Sequence, residues 1–459
     1  MCARGAGAEP STRSIDRPSR SLDRSPPRRT YVCFRRMSPR AHNDVAPGPP
    51  DPTGGRSNKP RLLLITPDFP PARGGIQVLV HRLAIGLQGF ETRVLALDSE
   101  GARRYDDTSG VTTRRVPVGG QLGAARNVAL NACALLEAVR FRPDVTLSAH
   151  IVTSPAAAAV QRLLGAPTVQ YFYANEIPNK PRLAAFAARR ASRAIAISSY
   201  TASLLAARGA PPARVSLIPP GVDLPANHSS ESVQSPVLEG PNEDPAGRPS
   251  SDDPAVRPSS EDRSAARPTI LTIARLQDRY KGHDVLIEAL ATVRAQVPGV
   301  EWVVIGDGPL RAELEVLARS TGVADAVRFL GSLSDAQRDL WLRRADLFAM
   351  PSRLPGGGLA GEGFGIVYLE AAAYGKPVLA GNVAGALDAV ADGESGLLVD
   401  PTDPQAVASA ITRLLLDREL ARALGAAGAE RARGFAWPVI CERVEALLLE
   451  SLAAARAGR

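Results

Sequence analysis

The stretch Arg61-Leu62-Leu63-Leu64-Ile65-Thr66 sets the fold class of this sequence. It is a continuous apolar run, which is typical of a strand buried on both faces of a parallel sheet. A loop from Pro67 to Gly75 follows, and a helical pattern then runs from Ile76 to Leu87. A buried strand that leads into a helix is the repeating unit of an α/β fold, so we expect the same unit again downstream.

The strand pattern recurs in two groups. The first group continues with Thr92–Leu97, Thr112–Pro117, Asp144–Ser148, Thr168–Tyr173, Ala194–Ile197 and Val215–Ile218. The second comprises Thr269–Ile273, Trp302–Gly306, Val327–Leu330, Leu347–Met350, Pro377–Ala380 and Gly396–Val399. Helical patterns lie between most of these strands, among them Val285–Val297, Arg311–Ser320, Gln405–Leu416 and Glu419–Ala432. Each group therefore predicts a doubly wound parallel-sheet domain.

Composition divides the chain into five parts. Residues 1–60 are rich in Pro, Ser and Arg and predict a disordered tail, whereas residues 224–268 are dense in Pro, Ser, Asp and Glu and predict a disordered linker. The two α/β domains are expected at 61–223 and 269–435, followed by an apolar-periodic helix over 436–459. Two interpretations of residues 1–36 stay open. Their Arg- and Ser-rich, acid-poor composition is that of an organelle transit peptide, or translation begins at Met37 and residues 1–36 are not part of the protein.

Length and composition are those of a globular protein. The chain has 459 residues, of which 44% are hydrophobic and 22% charged, enough for two or three domains. No apolar run reaches the roughly 18–20 residues that span a bilayer, so we do not expect a transmembrane enzyme. Cys2, Cys33, Cys133 and Cys441 have no metal-like spacing. They predict incidental thiols in a reducing compartment, and hence a cytoplasmic protein.

The net charge of +8 favours an anionic partner. No aromatic and basic pattern of a nucleic-acid binder is present, so a membrane surface is the better partner, although a general Arg and Ala bias explains the charge equally well. A basic amphipathic stretch carries four arginines among the apolar residues from Leu183 to Ile195, namely Arg182, Arg189, Arg190 and Arg193. It either lies on the inner face of the plasma membrane and presents a lipid acceptor, or is a helix with a solvated basic face.

The segment from Gly361 to Ala371 carries the chemistry. It contains Glu362 and Glu370 around a glycine-flanked apolar turn that predicts the start of a helix. Free backbone N–H groups and the helix dipole favour anions there, and the two carboxylates add acceptors for hydroxyl groups. A phosphate and several hydroxyls together are what a sugar nucleotide presents. The alternative is a pair of glutamates on a solvated helix.

Three other short motifs follow predicted strands. Arg275 and Lys281 lie six residues apart just past a buried strand, where an arginine fork and a lysine point charge can meet one diphosphate, although a solvated basic loop is the alternative. Gly74 and Gly75 allow close approach of backbone to a phosphate. Gly306 and Asp307 follow a strand in the same way. Both glycine motifs are equally compatible with ordinary tight turns.

These motifs resemble the family 4 retaining glycosyltransferases (glycosyl transferases group 1) over about residues 61–450, apart from the linker. The resemblance implies the α/β fold called GT-B, with two Rossmann-like doubly wound domains facing across a cleft. It also implies that the helix over 436–459 crosses back to the first domain. The family's E-x7-E motif matches Glu362 and Glu370, which implies that Glu362 contacts the donor-sugar hydroxyls and Glu370 the nucleotide ribose. Arg275 and Lys281 match the pair that neutralises the leaving nucleoside diphosphate, so neither a divalent metal nor a cofactor is expected.

The resemblance also implies further donor-binding positions. Their backbone is expected beside the sugar, the diphosphate or the nucleotide: Gly74, Gly75, Gly306, Asp307, Gly363, Phe364, Gly365 and Ile366.

One departure concerns the sugar contact. The family carries a histidine in an H-G-x-E-like turn, and this sequence has Tyr173-Ala174-Asn175-Glu176 at that place. Tyr173 therefore stands at the histidine position, while Glu176 keeps the acidic one. His150 lies upstream, at a strand end similar to one in the family, where it either lines the cleft or caps the strand. Tyrosine is a poor base near neutral pH, which puts the sugar contact in doubt.

The predicted function is transfer of a hexose, with retention, from GDP-mannose or a UDP-hexose to a lipid or cell-envelope glycan, as in phosphatidylinositol mannosyltransferases. One alternative is an altered or inactive homologue that binds a nucleotide sugar, because Tyr173 replaces the histidine. Another is a glycoside hydrolase that uses Glu362 and Glu370, which leaves Arg275 and Lys281 without a role. A dinucleotide-dependent oxidoreductase is discounted because neither domain opens with G-x-G-x-x-G.

Overall fold

The computed structural model describes residues 59–72, 74–117, 123–225, 267–355 and 361–458, and these residues belong to one compact unit. The disordered tail predicted for residues 1–60 lies outside the described residues except for Lys59 and Pro60. The predicted linker lies outside them between residues 226 and 266. The predicted boundaries at these two segments therefore stay predictions.

The first seven strands form one parallel sheet in the order β3-β2-β1-β4-β5-β6-β7. They are β1 Arg61–Ile65, β2 Glu91–Leu97, β3 Thr113–Val116, β4 Val145–Ser148, β5 Thr168–Phe172, β6 Arg193–Ala196 and β7 Val215–Leu217. The central strand β1 pairs Leu64 with Val94 of β2 on one side and with Leu147 of β4 on the other. All strands are parallel, and the order in which they are added across the sheet reverses between β1 and β4.

The next six strands form a second parallel sheet in the order β10-β9-β8-β11-β12-β13. They are β8 Thr269–Ile273, β9 Glu301–Ile305, β10 Val327–Gly331, β11 Leu347–Met350, β12 Val378–Gly381 and β13 Leu397–Val399. This order repeats that of the first six strands. Ligands of such sheets bind beyond the carboxyl ends of the strands where the order reverses, here between β8 and β11.

Fifteen α-helices connect or follow these strands within the described ranges. In the first domain they are α1 Gly75–Gly86, α2 Ala102–Thr108, α3 Gly123–Phe141, α4 Ser154–Leu164, α5 Glu176–Asn179, α6 Pro181–Arg190 and α7 Ser199–Ala206. In the second they are α8 His283–Gln296, α9 Arg311–Ser320, α10 Asp335–Arg344, α11 Ile366–Ala373, α12 Ala386–Ala389, α13 Pro404–Leu416, α14 Arg418–Arg433 and α15 Trp437–Ala457. None of the helices described combines the length and apolar character that crossing a bilayer requires.

The predicted parallel α/β architecture is confirmed. Each of the thirteen predicted strands is present, and its ends fall within one residue of the prediction. The boundaries were predictable because strands covered on both faces must be apolar at every position, as the burial of β1 from Leu62 to Ile65 shows.

Two helical layers cover the first sheet. On one face, Leu62 and Leu64 pack with α1 and with the final helix α15. On the other face, Leu63 and Ile65 pack with α3 and α4. Helix α15 lies so close to α1 that a Cβ on Gly86 would be 2.3 Å from the Cys441 Sγ. The backbone N–H of Gly89 also donates to the Glu445 carboxylate at 2.9 Å. Helix α15 is thus packed against the first domain and hydrogen-bonded to it.

Candidate active site

The glycine turn before α11 is shaped by close packing. Gly365 has φ 87° and immediately precedes the helix, which begins at Ile366, so the predicted helix start is confirmed. A Cβ at Gly365 would lie 2.4 Å from the Tyr368 ring, and Tyr368 is held in place because its hydroxyl donates to the Met350 carbonyl at 2.7 Å. Glycine is therefore required here by conformation and by space. The first N–H groups of α11 remain available to an anion.

Lys281 and Glu362, two of the predicted site residues, form an ion pair. Lys281, in a single turn of 3₁₀ helix after β8, places its Nζ 2.5 Å from the Glu362 Oε2. Both side chains are largely buried. Burial alone would lower the pKa of Lys281, but the charge and hydrogen bond of Glu362, together with the neighbouring Tyr280 and Asp278, outweigh that effect, so the pKa is raised. The ammonium is therefore held protonated beside the glycine turn.

The loop that carries Lys281 is fixed to the end of β11. Gly282 has φ 79°, and a Cβ there would lie 2.2 Å from the Pro351 carbonyl oxygen. Two residues further, both Asp284 carboxylate oxygens accept from the Arg353 guanidinium, at 2.8 and 2.5 Å. The position of Lys281 is thus set by contacts across the point where the strand order reverses.

Arg275 lies on the same loop but is differently engaged. It is exposed, and its guanidinium forms no hydrogen bond or ion pair with any residue that the structure describes. Its backbone is supported by the Gly306-Asp307 turn, because the Leu276 N–H donates to the Asp307 carbonyl at 2.9 Å. A Cβ at Gly306 would lie 2.0 Å from the Ala274 carbonyl oxygen, so this glycine allows two loops to touch. Contact of the Gly306-Asp307 turn with a nucleotide stays a prediction.

Glu370 has a partner that we did not predict from the sequence. The Arg338 Nη2 of α10 donates to its Oε2 at 2.9 Å, and Arg338 also contacts Asp335 at 3.2 Å. Burial raises the pKa of Glu370, and the Arg338 charge opposes part of that rise. Arg338 follows Ser334, which caps α10 together with Gln337. That capping box was a readable signal for the start of α10, but not for the pairing.

The first domain presents its own strand ends to the site. Gly74 and Gly75 lie at the start of α1. A Cβ at Gly75 would meet nothing within 4 Å, so Gly75 faces open space, whereas a Cβ at Gly74 would lie 2.4 Å from the Gln77 Oε1. Asp68, in the same loop, was not predicted. Burial raises its pKa, while the charges of His150 and Arg126 oppose that rise. The signal available for Asp68 was a carboxylate at the carboxyl end of the first strand.

His150 and Glu176 lie side by side at the ends of β4 and β5. The His150 Nδ1 is 2.8 Å from the Glu176 Oε1 and 3.2 Å from the Val152 N–H. The Glu176 Oε2 accepts from the Tyr173 N–H at 3.2 Å, while Oε1 accepts from the Ile151 N–H at 3.3 Å. Glu176 therefore joins two strand ends, and a role for either side chain toward substrate stays a prediction.

Tyr173 points into the protein interior. It is 7% exposed, and its ring stacks on that of Tyr171 with 5.9 Å between the ring centres. Its hydroxyl is buried without a hydrogen-bond partner among the described residues. Burial raises the pKa of Tyr173 well above its ordinary value, and the proximity of Tyr171 and Glu176 adds to this shift. The side chain can donate a hydrogen bond but cannot act as a base.

The two domains touch at these strand ends. A Cβ on Gly363 would lie 3.2 Å from Ile197 and 3.7 Å from Ala174, which follow β6 and β5. Phe364, the next residue, is buried and packs against Phe435 at 5.8 Å between ring centres, so only its backbone can face a ligand. The Ser199 N–H and hydroxyl both donate to the Asp388 carboxylate at 2.8 Å. The candidate site therefore lies between the carboxyl edges of two sheets.

Comparison with known proteins agrees with this geometry. The family "Glycosyltransferase Family 4" matches residues 73–225, and "Glycosyl transferases group 1" matches residues 258–431. A GDP-mannose-dependent alpha-(1-6)-phosphatidylinositol monomannoside mannosyltransferase of Mycobacterium tuberculosis is 34% identical over 81% of this chain and 93% of its own length. The protein of the same name from Mycolicibacterium smegmatis is 33% identical over 80% of this chain and 92% of its own length.

Solved structures show the same fold at lower identity. Anabaena Alr3699/HepE in complex with UDP superposes with a TM-score of 0.66 at 20% identity, over 86% of this chain and all of that one. Sucrose-phosphate synthase from Thermosynechococcus elongatus does so with a TM-score of 0.66 at 21% identity and the same coverage. The two facing sheets are thus a GT-B fold. With both domains matched and a relative aligned over nearly its full length, this chain belongs to glycosyltransferase family 4.

Proposed function

We propose that this glycosyltransferase moves a mannosyl residue from GDP-mannose, with retention, to a hydroxyl group of a phosphatidylinositol-based glycolipid. The observation that carries the proposal is the 34% identity to a mannosyltransferase of that donor and acceptor class, extending over 93% of the relative. The alignment spans both domains, so it includes the donor-side pair of Lys281 and Glu362. We place the reaction in the cytoplasm, at the inner face of the plasma membrane, where such a lipid is reached.

The roles of the donor-side residues follow from their chemistry. Arg275 and Lys281 stabilise the departing diphosphate, and the N–H groups at the start of α11 support the same charge. Glu362 accepts from the sugar hydroxyls, while Glu370 accepts from the ribose. With two cations and a helix N-terminus at the leaving group, the proposal requires no divalent metal and no cofactor.

The replacement of the family histidine by Tyr173 bears on which group takes the proton of the acceptor hydroxyl. Since its pKa is raised well above the ordinary value, it cannot take the acceptor proton. A phosphate oxygen of the donor takes that proton instead, on the same face as the attack. The second candidate function, nucleotide-sugar binding without transfer, is favoured by this same replacement of the histidine.

The test uses the full chain with radiolabelled GDP-mannose and vesicles that contain phosphatidylinositol monomannoside. We expect labelled lipid product, unchanged when EDTA is added, and little product from UDP-glucose. Calorimetric binding of GDP-mannose without any transfer or donor hydrolysis would support the binding homologue. Preference for a UDP-hexose would overturn the donor assignment, and loss of product in EDTA would overturn metal independence.

A further inference from the structure

A pair of hydrogen bonds joins the two domains at the edge of their interface. Asp388 of α12, in the second domain, accepts from both the N–H and the hydroxyl of Ser199 in the first domain, each at 2.8 Å. Asp388 is half-buried and Ser199 is exposed, so the contact lies next to solvent. We call these two residues, Ser199 and Asp388, the α7–α12 clasp.

The clasp places a carboxylate at the start of α7. Ser199 is the first residue of this helix, and Ser198 before it accepts from the Thr201 N–H at 3.0 Å. Asp388 accepts from the Ser199 N–H, one of the first-turn groups that have no partner within the helix. Such groups, together with the helix dipole, favour a negative charge at this end. The second domain therefore completes the cap of a first-domain helix.

Within the second domain, α12 is bound to the turn that carries Glu362. The Gly385 N–H, just before α12, donates to the Glu362 carbonyl at 2.9 Å. A Cβ at Gly385 would lie 2.2 Å from the Gly363 carbonyl oxygen, so the two backbones touch. Near the end of α12, the Arg431 Nη2 donates to the Asp388 carbonyl at 2.7 Å. The position of Asp388 is therefore fixed relative to Glu362.

Within the first domain, the clasp lies two residues from a direct contact with the same turn. Ile197 follows β6 and leads into Ser199, and its Cδ1 would be 3.2 Å from a Cβ on Gly363. The contacts thus form a closed ring, because Ile197 packs on Gly363 while Ser199 binds Asp388, whose helix is bonded back to the Glu362 turn. A closed ring of contacts restricts how one domain can slide or rotate on the other.

We propose that Asp388 is a positioning residue for glycosyl transfer. Through Ser199 it holds the domains in the alignment in which a sugar bound at Glu362 meets its acceptor, and it does not itself touch the reacting atoms. This deepens the proposed function and rests on it for the donor and the acceptor of the assay. The side chains proposed to bind the GDP part of the donor all lie in the second domain, namely Arg275, Lys281 and Glu370. Loss of the clasp should therefore slow transfer and spare GDP binding.

The first test compares transfer with binding. In Asp388→Ala we expect kcat with GDP-mannose to fall at least tenfold, while the Kd for GDP measured by calorimetry stays within twofold. Asp388→Asn keeps an oxygen acceptor without the charge and should recover part of the activity. The matched control is Asp403→Ala, which removes a carboxylate that caps α13 inside the second domain by accepting from the Gln405 N–H at 2.8 Å. This control should lose some thermal stability and keep the wild-type kcat.

A double variant tests whether Asp388 acts through Ser199. Ser199→Ala removes the hydroxyl bond but keeps the N–H bond, so kcat should fall by less than in Asp388→Ala. Adding Ser199→Ala to Asp388→Ala should cause no further fall, because both changes break the same contact. A combined loss equal to the product of the two single losses would mean that the residues act independently, and the clasp would be wrong.

Amide hydrogen exchange, followed by mass spectrometry, checks the contact without any substrate. In Asp388→Ala, the peptides that contain Ser199 and Gly385 should exchange at least tenfold faster than in the wild type, since the first loses its acceptor and the second loses a restraint on α12. Asp403→Ala should leave both peptides unchanged. The proposal is overturned if Asp388→Ala keeps the wild-type kcat or the wild-type exchange at Ser199. It is also overturned if Asp403→Ala loses as much activity, or if GDP binding weakens in step with kcat.

Failure of the clasp and failure of the proposed function can be told apart. If the wild type transfers nothing from GDP-mannose but exchange at Ser199 and Gly385 accelerates in Asp388→Ala, the proposed donor and acceptor are wrong and the clasp stands. If the wild type transfers mannose and Asp388→Ala transfers it equally fast, the clasp is wrong and the proposed function stands.

Discussion

The two domains share a strand order but equip their carboxyl edges differently. In the second domain, charged side chains are paired within the domain, Lys281 with Glu362 and Arg338 with Glu370. In the first domain, the same edge also holds a pair, His150 with Glu176, but it carries in addition Tyr173, whose buried hydroxyl has no partner among the residues described. Paired charges preorganise a site before a ligand arrives, whereas unpaired buried polar groups cost free energy until one does. Both carboxylates of the second-domain edge are thus already paired, whereas the first-domain edge keeps one buried hydroxyl without a partner among the described residues.

The most damaging change to the donor half is Lys281→Ala. We expect kcat to fall by about 10²–10³-fold, because the leaving diphosphate loses one of its two cations. Kinetics with GDP-mannose measure this, alongside circular dichroism for the fold. The control is Arg279→Ala in the same turn, whose exposed pair with Glu313 contributes little. Full activity of Lys281→Ala would remove Lys281 from the mechanism.

Gly282→Ala tests whether the donor loop must lie against β11. A left-handed backbone costs a non-glycine residue about 1–2 kcal/mol, and here the added Cβ also meets the Pro351 carbonyl at 2.2 Å. We expect lower stability in urea and at least tenfold weaker donor binding. Gly299→Ala is the matched control, since it has φ 80° with nothing within 4 Å of the Cβ. If the two variants behave alike, the close contact at Gly282 does not position Lys281.

Arg338→Leu separates Glu370, the proposed ribose contact, from its counter-charge. The pKa of Glu370 is already raised by burial, and removal of Arg338 should raise it further, so the carboxylate is protonated at a higher pH than in the wild type. We expect roughly tenfold weaker GDP binding at neutral pH, and a pH profile of Kd displaced to higher pH. Calorimetry from pH 5 to 8 measures both. The control is Arg294→Leu, which breaks an exposed pair with Asp325 and should change neither the GDP affinity nor its pH profile. A pH profile of Kd that is not displaced in Arg338→Leu would contradict a role of Arg338 in keeping Glu370 ionised.

The smallest effect is expected in the acceptor half, from Tyr173→Phe. The hydroxyl has no partner among the described residues, so its loss should leave the melting temperature unchanged or slightly raised and activity within about twofold. Steady-state kinetics measure the activity of Tyr173→Phe, and thermal melting measures its stability. A tenfold loss of kcat without loss of stability would mean that the hydroxyl contacts the reacting sugar, and the first domain would then take part in the transfer as directly as the second.

The strands and the glycine turn were predictable because their causes are local. A strand such as β1 is apolar throughout since both its faces are covered, and the helix at Ile366 follows a glycine whose position the sequence displays. The partners were not predictable. Arg338 and Glu370 are 32 residues apart, and Ser199 and Asp388 are 189 apart, so only the packed sheets bring them together.

The outward side of α3 was equally hidden from the sequence. Its pattern predicts which residues share a side, but polar anchors decide which side is buried. Glu137 turns inward because Arg93 and Arg114 reach it from β2 and β3, against the usual preference for a charged side chain to face water. The sequence predicts a basic amphipathic stretch that includes Arg182 to Arg193. The structure describes helix α6 there with Arg182, Arg189 and Arg190 exposed, while Arg193 begins β6.

The fastening of α15 to α1 has a consequence for unfolding. The helix follows the second domain in the chain, yet Ile440, Val444 and Leu448 belong to the core that also contains Leu79 and Leu83 of α1. Unfolding of the second domain would free the start of α15 and expose the core residues that α15 shares with α1 of the first domain. The two sheets should therefore unfold in a single cooperative transition, with calorimetric and van't Hoff enthalpies that agree. A chain cut before Trp437 would lose that coupling and melt in two steps.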